Sequence, residues 1–317
     1  MKILLTGNLG FIASHLCRLL LASGYEVIGL DLETYAANKE VNKEFLISKR
    51  YSYHKGSICS FDLLEYLHKK YGFDLIINMA GETHNDRSLL FPKHFLDTNV
   101  IGTFMILELC RKYDIKLLHM STDECIKHLP PTNGNFNDCR VKEESSVYAP
   151  SSPYSSTKAS AELLCNAYRK SYKLDVTVVR SVNVMGPSQN SEKLIPRVIA
   201  KGRAGEKVPV FKTRAWRDWC YVEDLCRALK LLVETEARED LYHISAYNET
   251  ETLDMVKMIL NLIGKDESCI EMVEDRKAYD LYYSLDSSKI RALGWKPQVS
   301  LEEGLALTVK SYMNDQV

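Results

Sequence analysis

The sequence predicts an α/β fold in which helices cover both faces of a doubly wound parallel sheet. Short apolar runs alternate with amphipathic stretches through the first half of the chain, and a turn with two glycines follows the first run. The chain has 317 residues, of which 45% are hydrophobic and 26% charged. That length and composition suit one large α/β body with a smaller, interleaved C-terminal α/β domain.

The elements of the first half alternate between strand and helix. Buried strands are predicted at short, almost wholly apolar runs, because a parallel sheet is covered on both faces: Lys2–Thr6, Glu26–Leu30, Asp74–Met79 and Lys116–Met120. Helices are predicted where apolar residues recur with a helical period: Phe11–Ser23, Phe61–Tyr71, Lys93–Tyr113 and Ser155–Lys173. Asp175–Val184 is predicted as a further strand.

The alternation becomes less regular after Gly186-Pro187. The predicted elements there are the strands Val208–Phe211, Tyr242–Ser245 and Ile270–Val273, and the helices Val222–Glu234, Leu253–Ile263 and Leu301–Met313. We therefore predict a first domain over residues 1–184, to which 219–245 returns. The second domain covers 185–218 and 246–317.

Charge and cysteine usage exclude several classes of function. The formal net charge of −1 gives no general attraction to nucleic acid or to an anionic membrane. The nine cysteines are scattered without a Cys-x-x-Cys pair, and the histidines lack the spacing of metal ligands. No apolar run reaches the length of a signal-peptide core or a membrane span. We expect a cytoplasmic protein with free thiols and no bound metal.

The turn after the first strand predicts a nucleotide-binding site of the Rossmann type. Gly7 and Gly10 allow a tight turn and the close approach of a pyrophosphate to the start of the following helix. Asp31 lies 24 residues after Gly7, at the end of the second strand. A carboxylate there binds the ribose hydroxyls and repels a 2′-phosphate, which favours NAD over NADP, although strand-end turns also use aspartate for purely local reasons.

Two polar clusters predict the chemistry. Tyr154 and Lys158 are four residues apart and share one face at the start of a helix, where an ammonium favours the phenolate form of tyrosine. Thr122, Asp123 and Glu124 follow a predicted strand, so they should face the crevice at the carboxyl ends of the sheet. An exposed helix pair and a solvated loop are the structural alternatives for these two clusters.

With these residues the chain resembles the extended short-chain dehydrogenase/reductase family and, within it, the dTDP-glucose 4,6-dehydratases. The resemblance covers nearly the whole chain. The segments that carry it, besides Thr122–Glu124 and Tyr154–Lys158, are Asp31–Ala36, Ala80–Ser88, Thr98–Thr103, Ser151–Tyr154, Glu192–Pro196, Trp216–Trp219 and Leu293–Pro297. Family members that only epimerise their substrate lack the adjacent acid pair.

The resemblance implies a dehydration that begins and ends with hydride transfer. Tyr154 is implied as the base at the sugar 4-hydroxyl, with Thr122 positioning that hydroxyl and Lys158 binding the nicotinamide ribose and tuning Tyr154. Glu124 is implied to take the C5 proton, while Asp123 protonates the departing 6-hydroxyl. An acid and a base side by side suit this elimination when their environments separate their pKa values.

The same resemblance implies the binding residues. NAD contacts are expected at Gly7, Gly10, Phe11, Ile12, Asp31, Thr34, Ser57, Ile58, Ala80, Thr83, Thr98, Tyr154 and Lys158. Contacts with the nucleoside-diphosphate sugar are expected at Thr83, Thr122, Asn183, Lys193, Leu194 and Arg217. Arg217 suits phosphate oxygens, and an internal ion pair is its alternative. A homodimer is implied through the helices Lys93–Tyr113 and Ser155–Lys173.

Departures from the family pattern leave alternatives open. Ser57 replaces an aspartate at the adenine, Val184 replaces an asparagine near the nicotinamide, and Cys125–Lys127 replaces the usual loop after the acid pair. Changes at Thr252 and within Asp275–Tyr279 fall on the nucleotide side, so a UDP-sugar is an alternative to a dTDP-sugar. A 4-epimerase, a 5,6-dehydratase and a catalytically silent NAD-binding protein are the alternative functions.

Overall fold

The computed structural model describes residues 1–132, 135–236, 238–275, 277 and 279–314. Its strands are β1 Lys2–Thr6, β2 Glu26–Asp31, β3 Tyr51–Lys55, β4 Leu75–Asn78, β5 Lys116–Thr122, β6 Val176–Ser181, β7 Asn183–Met185, β8 Val208–Phe211, β9 Trp216–Arg217, β10 Trp219–Tyr221, β11 Leu241–Ile244, β12 Thr250–Glu251 and β13 Ile270–Val273. Its α-helices are α1 Phe11–Ala22, α2 Glu40–Phe45, α3 Phe61–Tyr71, α4 Asn85–Leu90, α5 Pro92–Phe95, α6 Thr103–Tyr113, α7 Pro153–Tyr172, α8 Leu194–Ala204, α9 Val222–Glu234, α10 Thr252–Leu262, α11 Ser288–Ala292 and α12 Leu301–Asn314.

Seven strands form one central sheet in the order β11-β6-β5-β4-β1-β2-β3. The pairs β1–β2, β1–β4, β2–β3 and β4–β5 are parallel. The strand order reverses between β1 and β4, which is the switch point where open α/β sheets form their ligand crevice. This architecture confirms the predicted Rossmann-type fold. It brings the carboxyl ends of β1, β2, β4 and β5 to one edge.

The core explains why the strands are apolar along their whole length. Leu4, Ile28, Ile76 and Leu117 are fully buried or nearly so on neighbouring strands. They belong to a cluster that also contains Leu67, Leu107 and other buried side chains of the covering helices. Burial of each such side chain contributes about 1.5–3 kcal/mol relative to exposure, so the sheet is held rigidly beneath its loops.

The chain forms two compact units. The first comprises the described residues of Met1–Cys125, Tyr148–Arg180 and Cys226–Tyr242. The second comprises those of Ile126–Val147, Ser181–Leu225 and His243–Val317. In the second unit the strands pair two by two, as parallel β7–β10, parallel β8–β13 and antiparallel β9–β12.

Several predicted boundaries differ from the structure. The segment 126–147 groups with the second unit, whereas the sequence placed it in the first domain. Asp175–Val184 is two strands, because the chain leaves the central sheet at Val182 and pairs β7 with β10 instead. β3 was missed, since Tyr51–Lys55 is a polar edge strand without an apolar run. The roles assigned to the two domains stay predictions.

The predicted helix Lys93–Tyr113 consists of three helical segments. α5 continues into a π-helical segment over Leu96–Gly102, which is followed by α6. π-helical turns are uncommon and occur frequently at functional sites. Within the described part of the chain, no helix has both the length and the apolarity needed to cross a membrane.

Candidate active site

The turn between β1 and α1 requires glycine at its first position. Gly7 has φ +65°, and a Cβ atom there would lie 2.8 Å from the Cα and N atoms of Ala80. Gly10 is the N-cap of α1, and no described side chain caps it. The first turn of α1 contains no acidic residue, so its backbone N–H groups and the positive end of the helix dipole suit an anion.

The side chain of Asp31, at the end of β2, accepts hydrogen bonds from the backbone of two loops. One carboxylate oxygen accepts from the Leu9 N–H at 3.0 Å and the other from the Glu33 N–H at 2.7 Å. Burial raises the pKa of Asp31, and these two backbone hydrogen bonds oppose that shift. The Asp31 carboxylate therefore lies beside the glycine turn, as the sequence predicted.

The loop after β4 is fixed from below by two polar side chains. Thr6 Oγ1 accepts from the Ala80 N–H at 3.1 Å and donates to Asn78 Oδ1 at 2.7 Å. Asn99, in the π-helical segment, accepts from the Glu82 N–H at 2.9 Å and donates to the Glu82 carbonyl at 3.1 Å. The π-helical segment therefore holds the backbone that follows Ala80.

Apart from Thr98, which lies inside the π-helical segment, the other predicted cofactor residues lie in loops or at helix starts of the first unit. Ile58 is buried, and a Cβ atom on Gly102 would collide with its side chain, so this loop packs closely on the π-helical segment. Ser57 Oγ accepts from the Cys59 N–H at 3.1 Å. The remaining positions are partly or largely accessible: Phe11, Ile12, Thr34, Thr83 and Thr98.

Thr122, Asp123 and Glu124 form a tight cluster where β5 ends and a 3-10 turn begins. Thr122 Oγ1 donates to Asp123 Oδ1 at 3.1 Å and accepts from the Glu124 N–H at 3.3 Å. The side chains of Thr122 and Asp123 are buried, and Glu124 is half-buried. The predicted acid and base are therefore held by one hydroxyl at the carboxyl end of the sheet.

Tyr154 lies in the first turn of α7 and is brought to this cluster. Burial raises the pKa of Tyr154 well above its ordinary value, with a further contribution from the nearby Glu124 carboxylate, while a hydrogen bond with Thr122 opposes the shift. This environment therefore favours the neutral phenol over the phenolate. Its ring packs edge-on against Phe95, with centroids 6.3 Å apart.

Lys158 follows one turn after Tyr154 and is also buried. Its Nζ donates to the Met120 carbonyl at 2.5 Å, and burial lowers its pKa. The Lys158 side chain therefore contacts the backbone of β5. The predicted influence of Lys158 on Tyr154 stays a prediction.

Structural residues that the sequence reasoning did not single out support the site. Ser152 caps α7 in a capping box with Ser155. Arg180 and Glu162 form a wholly buried ion pair, with Arg180 Nη2 2.6 Å from Glu162 Oε2, and Ser121 also donates to Glu162. An arginine inside the apolar run of β6 was the available signal for this pair.

A further residue of this kind is Asn85, the first residue of α4. Its Nδ2 donates to Glu124 Oε2 at 2.6 Å. Asn85 lies within the family segment Ala80–Ser88, but the sequence indicated no role for it. Its contact joins residues far apart in the chain, so no local pattern revealed it.

The predicted nucleotide-binding residues lie in the second unit. Asn183 begins β7, Lys193 is the N-cap of α8 and Leu194 is the first residue of that helix. Arg217 is buried, and its guanidinium donates to the carbonyls of Trp216 and Asp280 and packs over the Tyr283 ring at 4.2 Å. Its donors thus contact backbone oxygens, and the carboxylate partner considered from the sequence is not among these contacts.

Two other sequence hypotheses concern metal and thiol chemistry. The described residues contain no group of three or more His, Cys, Asp or Glu side chains that could hold a metal ion. Cys125 is fully buried, and burial raises its pKa well above the ordinary value, which is the environment of a packed, unreactive thiol. Arg276 and Ala278, in the predicted nucleotide segment, lie outside the described residues.

Comparison with known proteins gives one consistent family. The sequence matches the family described as GDP-mannose 4,6 dehydratase over residues 4–308. It is 36% identical to dTDP-glucose 4,6-dehydratase 1 of Escherichia coli, over 99% of this chain and 93% of that protein. The resemblance to dTDP-glucose 4,6-dehydratases predicted from the sequence is thereby confirmed.

Solved structures agree with this. A dTDP-glucose 4,6-dehydratase of Bacillus anthracis in complex with NAD superposes with a TM-score of 0.90 at 36% identity, covering 100% of this chain and 97% of that one. DesIV, a dTDP-glucose 4,6-dehydratase of Streptomyces venezuelae with NAD bound, gives a TM-score of 0.93 at 35% identity, with coverage of 100% and 98%. The chain therefore belongs to the GDP-mannose 4,6 dehydratase family.

Proposed function

We propose that this protein is an NAD-dependent nucleotide-sugar 4,6-dehydratase. It converts a nucleoside-diphosphate hexose to the 4-keto-6-deoxy sugar with loss of one water. The observation that carries the proposal is the meeting of Tyr154 with Thr122, Asp123 and Glu124 in one buried cluster. Oxidation needs the tyrosine, and water elimination needs an adjacent acid and base, so the cluster suits both halves of the reaction.

The residues at the sheet edge fit NAD. Gly7 and Gly10 leave the start of α1 uncrowded by side chains, and the first-turn amides suit a pyrophosphate. The Asp31 carboxylate beside this turn favours a ribose with a free 2′-hydroxyl over a 2′-phosphate. Bound NAD supplies a positively charged nicotinamide that takes a hydride from sugar C4 and later returns it to C6.

The chain's own residues move the protons. Tyr154 takes the proton of the 4-hydroxyl as C4 becomes a ketone. Burial and the Glu124 carboxylate both raise the pKa of Tyr154, and Lys158, one turn later in α7, is proposed to favour the phenolate that the reaction needs. Thr122, which hydrogen-bonds Tyr154, is placed to orient the hydroxyl that reacts.

The elimination uses the neighbouring carboxyl groups. The new 4-ketone acidifies the C5 proton, and Glu124 removes it. Asp123 donates a proton to the 6-hydroxyl, which leaves as water and gives a C5–C6 double bond. Hydride addition at C6 and proton return to C5 complete the product, so the net change is loss of water without net oxidation. Asp123 is assigned as the acid and Glu124 as the base because the family resemblance implies these roles, and Asp123 is the more deeply buried of the two.

The second unit is proposed to recognise the nucleotide. Asn183, Lys193, Leu194 and Arg217 are the candidate contacts, with Lys193 and Arg217 supplying positive charge for the diphosphate. Departures from the family pattern at Thr252 and around Asp275 leave the nucleoside open between thymidine and uridine. dTDP-glucose is the first substrate to test.

We also propose that the protein is a homodimer. α7 and the π-helical segment of the first unit expose large apolar side chains, with Ile101 at 41%, Leu163 at 51% and Tyr172 at 52% exposure. A helix face of this kind suits burial against a second copy. Light scattering at micromolar concentration should give twice the chain mass of 36.2 kDa, and a mass of one chain would contradict the proposal.

Proton NMR in D₂O tests the function directly. Protein supplied with NAD is incubated separately with dTDP-glucose, UDP-glucose and GDP-mannose. A C6 methyl signal and solvent deuterium at C5 establish 4,6-dehydration and identify the preferred nucleotide. Inversion at C4 without a methyl signal would establish an epimerase instead, and no change with any substrate would favour a silent NAD-binding protein.

A further inference from the structure

We propose that Asn85 is a positioning residue for the elimination step, holding the Glu124 carboxylate through a hydrogen-bonded chain that starts at Ser152. The inference rests on the proposed function, because it concerns the base that removes the C5 proton. Asn85 itself need not touch the sugar. It acts through Glu124.

The hydrogen bonds run in one direction, from Ser152 through Asn85 to Glu124. Ser152 Oγ donates to Asn85 Oδ1 at 2.7 Å, and Asn85 Nδ2 donates to Glu124 Oε2 at 2.6 Å. An ionised carboxylate can only accept hydrogen bonds, so the amide NH₂ must face Glu124 and the amide oxygen must face Ser152. The Glu124 carboxylate therefore fixes the amide orientation, and the Ser152 hydroxyl, which can donate or accept, donates to Asn85 Oδ1.

Both ends of Asn85 are anchored. Ser152 is 4% exposed, and its Oγ also accepts from the Ser155 N–H at 3.1 Å as the N-cap of α7. The Asn85 carbonyl accepts from Ser88 Oγ at 2.7 Å, which holds the first turn of α4. The Asn85 amide that donates to Glu124 is thus held by the first turn of α4, to which Asn85 belongs, and by the N-cap of α7.

The chain also links the two half-reactions. Ser152 precedes Tyr154 by two residues, so the helix start that places the proposed oxidation base also fixes the proposed elimination base. A misplacement of about 1 Å can cost about 10²-fold in rate when a reacting group must meet its target atom.

Two isosteric variants separate these effects from packing. Asn85→Leu removes the donor without adding charge. Asn85→Asp keeps the acceptor for Ser152 but replaces the donor with a second carboxylate facing Glu124. Asn261→Asp, at an exposed position of α10, adds the same charge elsewhere and is the matched control.

Single-turnover absorbance at 340 nm gives the test. With wild-type protein the NADH signal rises on oxidation of the sugar and falls on elimination and hydride return. We expect the rise to stay within twofold of wild type in both variants, while the fall slows at least tenfold, more for Asn85→Asp than for Asn85→Leu. Asn261→Asp should match wild type.

Either of two results would overturn the inference: an unchanged NADH decay in both variants, or an equal slowing of rise and fall, which indicates a purely structural role. A second readout needs no turnover. The side-chain amide signals of Asn85, assigned by their loss in Asn85→Leu, should shift in Glu124→Gln, and unshifted signals would contradict the contact. If wild-type protein forms no product, the proposed function fails, and the catalytic role of Asn85 fails with it.

Discussion

The two units use their polar side chains differently. In the first, Thr122, Asp123 and Glu124 stand at a strand end and bind one another and Asn85, ready to meet a substrate. In the second, Arg217 donates to the backbone carbonyls of Trp216 and Asp280. The difference teaches that the groups proposed to react are held by one another and by Asn85 at the edge of the parallel sheet, whereas the donors of Arg217 contact backbone carbonyls. We therefore expect substitutions at Tyr154 or Glu124 to affect turnover more than a substitution at Arg217.

The largest effect is expected at Tyr154. Tyr154→Phe removes the hydroxyl proposed to accept the proton of the sugar 4-hydroxyl while preserving the ring against Phe95. We expect NADH formation to fall by about 10⁴-fold, the upper range for a general base. The measurement is single-turnover absorbance at 340 nm with dTDP-glucose. Retention of NAD binding, measured by calorimetry, is the control, and turnover within tenfold of wild type would contradict the assignment.

Glu124→Gln should separate the two half-reactions. The amide cannot take the C5 proton, so elimination should slow by about 10²- to 10³-fold while C4 oxidation continues. NADH and a 4-keto hexose should then accumulate, visible at 340 nm and by NMR. Wild-type turnover in this variant would remove Glu124 from the mechanism, and loss of NADH formation would assign it to the oxidation.

In the second unit, the buried carboxyl group of Asp218 should make the stability of the protein depend on pH. Burial raises the pKa of Asp218 from 3.8 to about 6, with a further contribution from Glu249, while hydrogen bonds from Ser245 and the Asn248 and Tyr247 amides oppose the shift. A carboxyl group whose pKa is higher in the folded state contributes stability below its unfolded value, and that contribution is lost as the pH rises through about 6.

Asp218→Asn removes this dependence. Relative to wild type, the variant should gain about 2–3 kcal/mol of unfolding free energy between pH 4 and pH 7, from a shift of about two pKa units. Urea unfolding gives the unfolding free energies of the variant and of wild type at pH 4 and at pH 7. The hydrogen bonds that the substitution alters contribute equally at both pH values, so they cancel when the variant-minus-wild-type difference at pH 4 is subtracted from that at pH 7. A difference that stays constant would contradict the raised pKa.

The smallest effect is expected at Arg217. Arg217→Lys keeps the charge but loses the planar fork that suits phosphate oxygens, so KM should rise about tenfold with kcat nearly unchanged. Arg214→Lys is the matched control, because Arg214 is largely exposed and pairs with Glu251. A fall in kcat at constant KM would show that Arg217 serves the chemistry, and the contrast between the units would then fail.

Much of the site was predictable because it depends on short-range patterns. Gly7 directly follows a strand, Asp31 and Thr122 each end one, and parallel strands bring their carboxyl ends to one edge. Asn85 was not predictable in this way, since its partners Ser152 and Glu124 are separated from it by 67 and 39 residues. The π-helical turn around Asn99 was also hidden, because its sequence has ordinary helical periodicity.

The sequence by itself determined the fold class, the position of the glycine turn and the candidates for the reacting groups, because period, turn chemistry and residue spacing are local. Only the tertiary structure decided which polar atoms meet: Lys158 with the Met120 carbonyl, Arg217 with its own backbone, and Asn85 with Glu124. Hydrogen bonds depend on tenths of an ångström and on burial, and both are set by packing between segments distant in sequence.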